Sequence, residues 1–452
     1  MKILIAGCGQ VGESLARELS SEGHDLTLLD SDPHVLEVDT ERYDVIAVQG
    51  NCASMKALKD ADVESADLLI ATTGSDERNL LCCMTAHQIN PRLHTIARIR
   101  DPEYTEQAYY MRDAFALSML FNPEQQAALE IERLLKFPGF QKRDSFAKGR
   151  VEIVEIRIDA ESKLCNVPLS TMYSIVKCRV LVCAVLRDGA AIAPSGNFTL
   201  HAGDCIFVTA PSDNLALLLK NLGIVTHKVK RAMIAGGGTL AYYLAERLKK
   251  SGIDLTLIES DRSRCEELAA LLPHADIICG DAREQSLLES EEIASADALL
   301  SLTGIDEVNM IISLYGNSRG LPQIITRLDR LEASGITSDL PLGSVICPKQ
   351  LCCNHIVRYV RALQNQDGAA LTIHTIANGQ MEAMEFRVDE HTLHCGEPLK
   401  ELKLKKDILL VCITRGSTIE IPNGDSCFYV GDTVIAVTGK EAYVRQLNDI
   451  FA

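Results

Sequence analysis

Positive charge is scarce in this chain: 45 Lys and Arg stand against 62 Asp and Glu, a formal net charge of −17. Nucleic acid and anionic membrane surfaces would repel such a chain unless a local basic patch intervened. None is found. The basic runs, Lys228–Lys230–Arg231 and Lys400 to Lys406, are short and interrupted by apolar or acidic residues. Long apolar runs are missing too. The longest clean one, Val180 to Leu186, falls far below the ~18–20 residues that a membrane helix needs. The amino terminus, MKILIAGCG, passes directly into a strand-like run with no cleavage site, so a signal peptide is not expected.

Disulfide and metal signatures are also absent. The 16 Cys are about 3.5% of the chain, below the ~8–10% of a disulfide scaffold. No C-x-x-C occurs, and Cys178, Cys183, Cys205, Cys412 and Cys427 fall inside apolar patterns. The adjacent pairs Cys82–Cys83 and Cys352–Cys353 read onto different helix faces. Reduced, buried thiols in a soluble cytosolic protein are the expectation.

What is present is repetition. KILIAGCGQVGESLARELSSEGHDLTLLDSDP returns as RAMIAGGGTLAYYLAERLKKSGIDLTLIESDR, which places Gly7 on Gly236, Gly9 on Gly238 and Asp30 on Glu259. QGNCASMKAL aligns with CGDAREQSLL, and IATTGSDERN with LSLTGIDEVN. Asn51 then falls on Asp281, Thr73 on Thr303, Gly74 on Gly304, Asn79 on Asn309 and Arg98 on Arg327. Each half ends alike as well, with Gly203–Asp204 on Gly431–Asp432. A duplication spans the whole chain and leaves no room for a separate catalytic domain.

Within each half the periodicity changes once. Short β-branched runs (ILIAG, LTLLD, VIAVQ, DLLIAT, HTIARI) alternate with helical segments, which predicts an α/β unit, a Rossmann-like doubly wound parallel sheet. Asn122-Pro123-Glu124-Gln125 reads as a capped start for the helix AALEIERLLKF. From about Val151 the period becomes two, predicting a small β-rich α/β unit that recurs from about Met384. The expected domains are 1–139 and 230–365 (Rossmann-like) and 140–225 and 366–452 (small units), with a linker at Gly223 to Lys230.

Gly7-Cys8-Gly9-Gln10-Val11-Gly12 lies between a strand and a helix, where G-x-G-x-x-G has a mechanism. Gly7 permits the tight turn, Gly9 admits a pyrophosphate to the backbone, and Gly12 lets helix and strand pack closely. The helix N-terminus adds N–H groups and partial positive charge. Asp30, about 20 residues on, can accept from ribose hydroxyls and would repel a 2′-phosphate, favouring NAD(H). The second half reads Gly236-Gly237-Gly238-Thr239-Leu240-Ala241 with Glu259 as the acid. Glu is a methylene longer than Asp, consistent with a different adenine nucleotide.

Thr73–Gly74 and Thr303–Gly304 follow the fourth strands, at the edge where open α/β sheets bind ligands. Arg98 and Arg327 end the next strands and could meet phosphates or form surface ion pairs. Asn51 and Asp281 could read adenine or ribose, or cap helices.

Two tandem units of this kind, each with G-x-G-x-x-G/A, an acid and a T-G-x-D-E-x-N segment before a small β-rich tail, resemble the TrkA family. Its members are cytosolic regulatory subunits of bacterial Trk potassium uptake systems, built from RCK (KTN) domains. The resemblance covers the whole chain. It implies a ring, expected to be a homotetramer, on the cytoplasmic face of the inner membrane beneath an integral-membrane potassium transporter subunit, gated by NAD(H) and ATP or ADP. It assigns NAD contacts to Gly7 to Val11, Asp30, Thr73, Gly74 and Arg98, with counterparts at Gly236 to Leu240, Glu259, Thr303, Gly304 and Arg327. Ala241 and Asp281 depart from the first-half pattern.

An NAD-dependent oxidoreductase is the competing reading. It needs an acid/base residue facing the nicotinamide, yet His24, His34, His87, His201, His227 and His394 are scattered, without a counterpart in the repeat or a nearby carboxylate constellation, and most read as ordinary surface histidines. A transcriptional sensor would need a helix-turn-helix and a basic face, which the chain lacks.

Overall fold

The computed structural model describes residues 1–136, 143–146, 150–223, 229–330, 340–363, 370–377, 380–439, 444 and 446–452. The first half opens with six parallel strands, β1 (Lys2–Ala6), β2 (Asp25–Asp30), β3 (Ile46–Gln49), β4 (Leu68–Ala71), β5 (His94–Arg98) and β6 (Met119–Phe121), in the order 3-2-1-4-5-6. The central strands, ILIA and LLIA, are apolar at every position because helices cover both faces. Helix Gln10–Ser21, for example, buries Val11, Leu15, Ala16 and Leu19 on one stripe.

An antiparallel sheet follows: β7 (Arg143–Phe146), β8 (Val151–Arg157), β9 (Leu181–Arg187), β10 (Ala190–Ile192) and β11 (Cys205–Pro211), ordered 10-9-11-8-7. The second half repeats the plan. Its parallel sheet runs 14-13-12-15-16-17, from β12 (Arg231–Ala235), β13 (Asp254–Glu259), β14 (Ala275–Cys279), β15 (Ala298–Ser301), β16 (Gln323–Arg327) and β17 (Ser344–Ile346). Its antiparallel sheet, β18 (Ala370–Ile376), β19 (Met381–Arg387), β20 (Ile408–Arg415), β21 (Thr418–Glu420) and β22 (Thr433–Gly439), has the equivalent order 21-20-22-19-18. The period-two patterns miss β7 and β18, which precede Val151 and Met384.

The halves exchange helices. Helix Pro123–Lys136 is read in the sequence as part of the first Rossmann-like unit. Its Ala127, Ala128, Ile131, Leu134 and Leu135 instead complete the core of the second parallel sheet, with Ile234, Leu244 and Leu248. Helix Pro348–Leu363 returns the exchange. Cys352, Cys353, Ile356, Val357 and Val360 enter the first sheet's core beside Ile5, Leu15 and Leu19. Gln323 Nε2 donates to the Leu134 carbonyl (2.9 Å), Arg247 pairs with Glu132, and Arg361 pairs with Glu22. At about 2 kcal/mol per buried aliphatic side chain, each helix contributes on the order of 10 kcal/mol of burial, an upper bound. The small sheets also meet face to face, Phe146, Ile153, Cys183 and Phe207 against Ile376, Ala383, Val411 and Val437.

The paired cysteines differ from expectation. Cys82 and Cys83 are both fully buried in one core, and so are Cys352 and Cys353, because the apolar stripe of a buried helix is wide enough for neighbouring positions. His24 is buried beside Glu22 and not at the surface. Among the described residues, no helix is long and apolar enough to cross a membrane.

Candidate nucleotide clefts

In each parallel sheet the strand order reverses between the first and fourth strands, and the glycine turns lie at the carboxyl ends of β1 and β12, beside that switch point. Gly7 has φ +98°, and a Cβ there would come within 2.6 Å of Thr73 N. Gly12 packs its Cα so close that a Cβ would stand 2.1 Å from the Gly7 carbonyl oxygen. Gly9 is different: it caps helix Gln10–Ser21, and a Cβ added there meets nothing within 4 Å. Gly236 (φ +102°) and Gly238 repeat these roles before helix Thr239–Leu248, whose Leu240 and Ala241 are buried.

Neither glycine supplies a side-chain cap. By contrast Asp32, Ser75, Asp101 and Asp261 cap their helices with side-chain oxygens. The first turns at Gln10–Val11 and Thr239–Leu240 therefore keep their N–H groups for a ligand or water. That is the geometry a pyrophosphate uses.

Asp30 and Glu259 end β2 and β13. The Asp30 carboxylate accepts from the N–H groups of Cys8 (2.7 Å) and Asp32 (2.9 Å). Glu259 is held by the equivalent Gly237 (2.7 Å) and Asp261 (2.8 Å). Burial pushes the Glu259 carboxyl up, but the N–H donors of Asp261 and Gly237 outweigh it and keep it below the usual range. Each carboxylate retains lone pairs for ribose hydroxyls. Cys8 is buried, and burial beside Asp30 and Asp39 drives its thiol far up, so it is inert.

Thr73 and Thr303 lie just beyond β4 and β15. A fully buried amide organises each: Asn79 Oδ1 accepts from Thr73 N (2.8 Å) and Oγ1 (2.7 Å), and its Nδ2 donates to the Arg98 carbonyl (2.8 Å). Asn309 repeats this with Thr303 and Arg327. Sequence reading paired Asn79 with Asn309 and gave them no role; a buried-asparagine repeat is the signal that marks them. Asp76 and Asp306 likewise bind the backbone at Arg100–Asp101 and Asp329–Arg330. Gly74 and Gly304 face open space.

The two arginines part company. Arg98 donates to the Thr73 carbonyl, and its buried Nε has no partner among the described residues. Burial first, then Arg100, lowers its pKa. Arg100 itself donates to the Gly74 carbonyl (2.7 Å). Arg327 is instead neutralised by Asp329 (3.1 Å), which also meets Lys349 (3.5 Å). Arg327 is thus ion-paired in a largely buried setting and not at the surface.

Asn51 and Asp281 also differ in surroundings. Asn51 Oδ1 accepts from Ala53 N (3.1 Å), a local turn, while Asp281 binds Arg283 N (2.9 Å) and chelates its guanidinium. Uncapped helix, open glycine and seated carboxylate together fit the phosphates and ribose of a nucleotide in each cleft.

Comparison with known families matches the TrkA-N domain over residues 3–119 and 232–348 and the TrkA-C domain over 153–223 and 383–452. The chain belongs to the TrkA family. A Trk system potassium uptake protein TrkA homolog of Archaeoglobus fulgidus is 31% identical over all of both chains. The TrkA of Haemophilus influenzae is 30% identical, covering 100% of this chain and 98% of its own. Among solved structures, the GsuK RCK domain shares the fold at TM-score 0.62 and 16% identity, over 97% of this chain and 92% of that one. The GsuK channel bound to NAD gives 0.61 and 17%, over 97% and 77%. TrkA-N units thus carry both clefts, and TrkA-C units hold most of each antiparallel sheet, β7 and β18 lying outside the matched residues.

Proposed function

We propose that this chain is the nucleotide-sensing regulatory subunit of a Trk-type potassium uptake system and not an enzyme. NAD(H) occupies the first cleft and an adenine nucleotide, NAD(H), ATP or ADP, the second. Cytoplasmic rings of the chain, four copies in each, dock beneath an integral-membrane potassium transporter subunit and bias its pore.

The observation that carries this reading is the duplicated cradle: an uncapped helix after an open glycine, with Asp30 or Glu259 seated on the turn. The pyrophosphate meets the first turn of the helix, and the ribose meets the carboxylate. An acid at that position disfavours a 2′-phosphate. The relatives named for potassium uptake, and the NAD-bound GsuK channel of the same fold, support the assignment. Nucleotide control requires that two conformations bind the ligand unequally. The exchanged helices supply a lever, since each cleft's sheet is completed by a helix from the other half.

Titration calorimetry of the full chain with NADH, NAD, ATP and ADP tests the binding; absence of heat for all four overturns it. Co-purification from membranes then asks whether an integral potassium transporter accompanies the chain.

A further inference from the structure

Helix Pro33–Arg42 buries only two side chains, Leu36 and Asp39. Asp39 is 2% exposed, and its Oδ2 has no hydrogen-bond partner among the described residues. A buried carboxylate oxygen without a donor is costly and calls for a reason.

The repeat that aligns Asp30 with Glu259 aligns Asp39 with Leu268. Leu268 is fully buried, and its Cδ1 lies 2.6 Å from where a Cβ on Gly237 would stand. The position therefore lies directly beneath the glycine turn. In the first half the pair Gly237 and Leu268 is replaced by Cys8 and Asp39. The exchange keeps the space filled and places a carboxyl under the turn.

The groups facing Asp39 are known from each packed element. Cys8 comes from the turn, Glu13 from helix Gln10–Ser21, Asp30 from β2, and Arg42 and Tyr43 from its own helix end. Arg42 is engaged by Glu13 at 2.9 Å. Burial, then Glu13, with a lesser push from Asp30, outweigh Arg42 and raise the Asp39 carboxyl to about 6.

We propose that Asp39 makes nucleotide binding at the first cleft proton-linked, the ligand's phosphates binding with a neutral Asp39 and being opposed by its ionised form. This rests on the nucleotide-binding reading above. Phosphates brought to Gly9 raise the proton affinity of the carboxyl, so binding takes up a proton, and affinity falls as pH rises through the titration. Leu268 gives the second cleft no such dependence.

Calorimetry with NAD, whose pyrophosphate does not titrate between pH 5.5 and 8, tests this on the full chain. The second cleft is blocked by Gly238→Asp, and His34→Gln controls for the imidazole on the same helix. Two buffers of different ionisation enthalpy report proton uptake. The affinity is expected to weaken with rising pH, by up to about tenfold for each pKa unit the ligand adds, with net uptake of protons. Asp39→Asn, and independently Asp39→Leu, should bind with a flat pH profile and no uptake. Uptake retained in both variants, or absent in the parent, overturns the proposal. Absence of NAD binding at every pH defeats the nucleotide reading itself, and this inference with it.

Discussion

The hydroxyl of Tyr243, in the second half, donates to the carbonyl of Arg100, in the first, at 3.1 Å. Asn122 Nδ2 donates to the same hydroxyl at 2.9 Å, and Thr105 is within 3.5 Å. Tyr243 stands on the helix that opens at the second cleft, and Arg100 lies two residues beyond Arg98 of the first. Ser14, its counterpart, reaches only Gln10 of its own helix. Tyr243→Phe removes a donor to the Arg100 carbonyl and the nearest acceptor of Asn122 Nδ2, which keeps Arg100 O (3.2 Å) and Thr105 Oγ1 (3.3 Å), and a loss of about 1 kcal/mol in urea unfolding is expected.

Because a Cβ at Gly9 or Gly238 meets no atom within 4 Å, substitution there should spare the fold and strike only the ligand. Gly9→Asp places a carboxylate against the incoming phosphates and should abolish binding at the first cleft, and Gly238→Asp at the second. Each single variant is expected to retain one site by calorimetry, with an unchanged melting temperature. Undiminished stoichiometry in both would show the clefts to be elsewhere.

The proposed ring has a surface test. Leu81 and Ile311 occupy equivalent places on equivalent helices and are 50% and 62% exposed. Apolar side chains repeated in this way suit contact with further copies of the chain. Leu81→Asp with Ile311→Asp should lower the mass seen by light scattering, while single-chain stability changes by about 0.5 kcal/mol or less.

Asp39 also makes a prediction about stability. Its folded pKa, about 6, is raised above the ordinary value of an aspartate, 3.8. The native state then binds the proton more tightly than the unfolded chain. The stability this group supplies is present below the unfolded value and lost as pH rises through about 6. Asp39→Asn should accordingly stabilise the protein at pH 7.5 by about 1–3 kcal/mol. The gain should fade as pH drops below 6 and vanish near 4, as followed by thermal melts across pH.

Much of this architecture is legible in the chain. The glycine turns, Asp30 and Glu259, and the Thr-Gly segments reveal themselves by recurrence, since two copies must satisfy the same backbone geometry. Other features depend on three-dimensional context. The stripe Ala127, Ile131, Leu134 announces a buried face but not which sheet it will cover. Arg327 looks like Arg98 until Asp329, where the first half has Arg100, is found beside it. Asp39 reads as an ordinary polar residue on a helix, because only the turn above it shows that the position is interior.

The exchange of helices Pro123–Lys136 and Pro348–Leu363 bears on how the chain comes into being. The first parallel sheet cannot finish its core until residues near Val360 have left the ribosome, after the second sheet's strands have already emerged. Synthesis must therefore hold the amino-terminal half with an apolar face uncovered for most of translation. Each parallel sheet completes its core only with a helix from the other half, so neither finishes packing by itself.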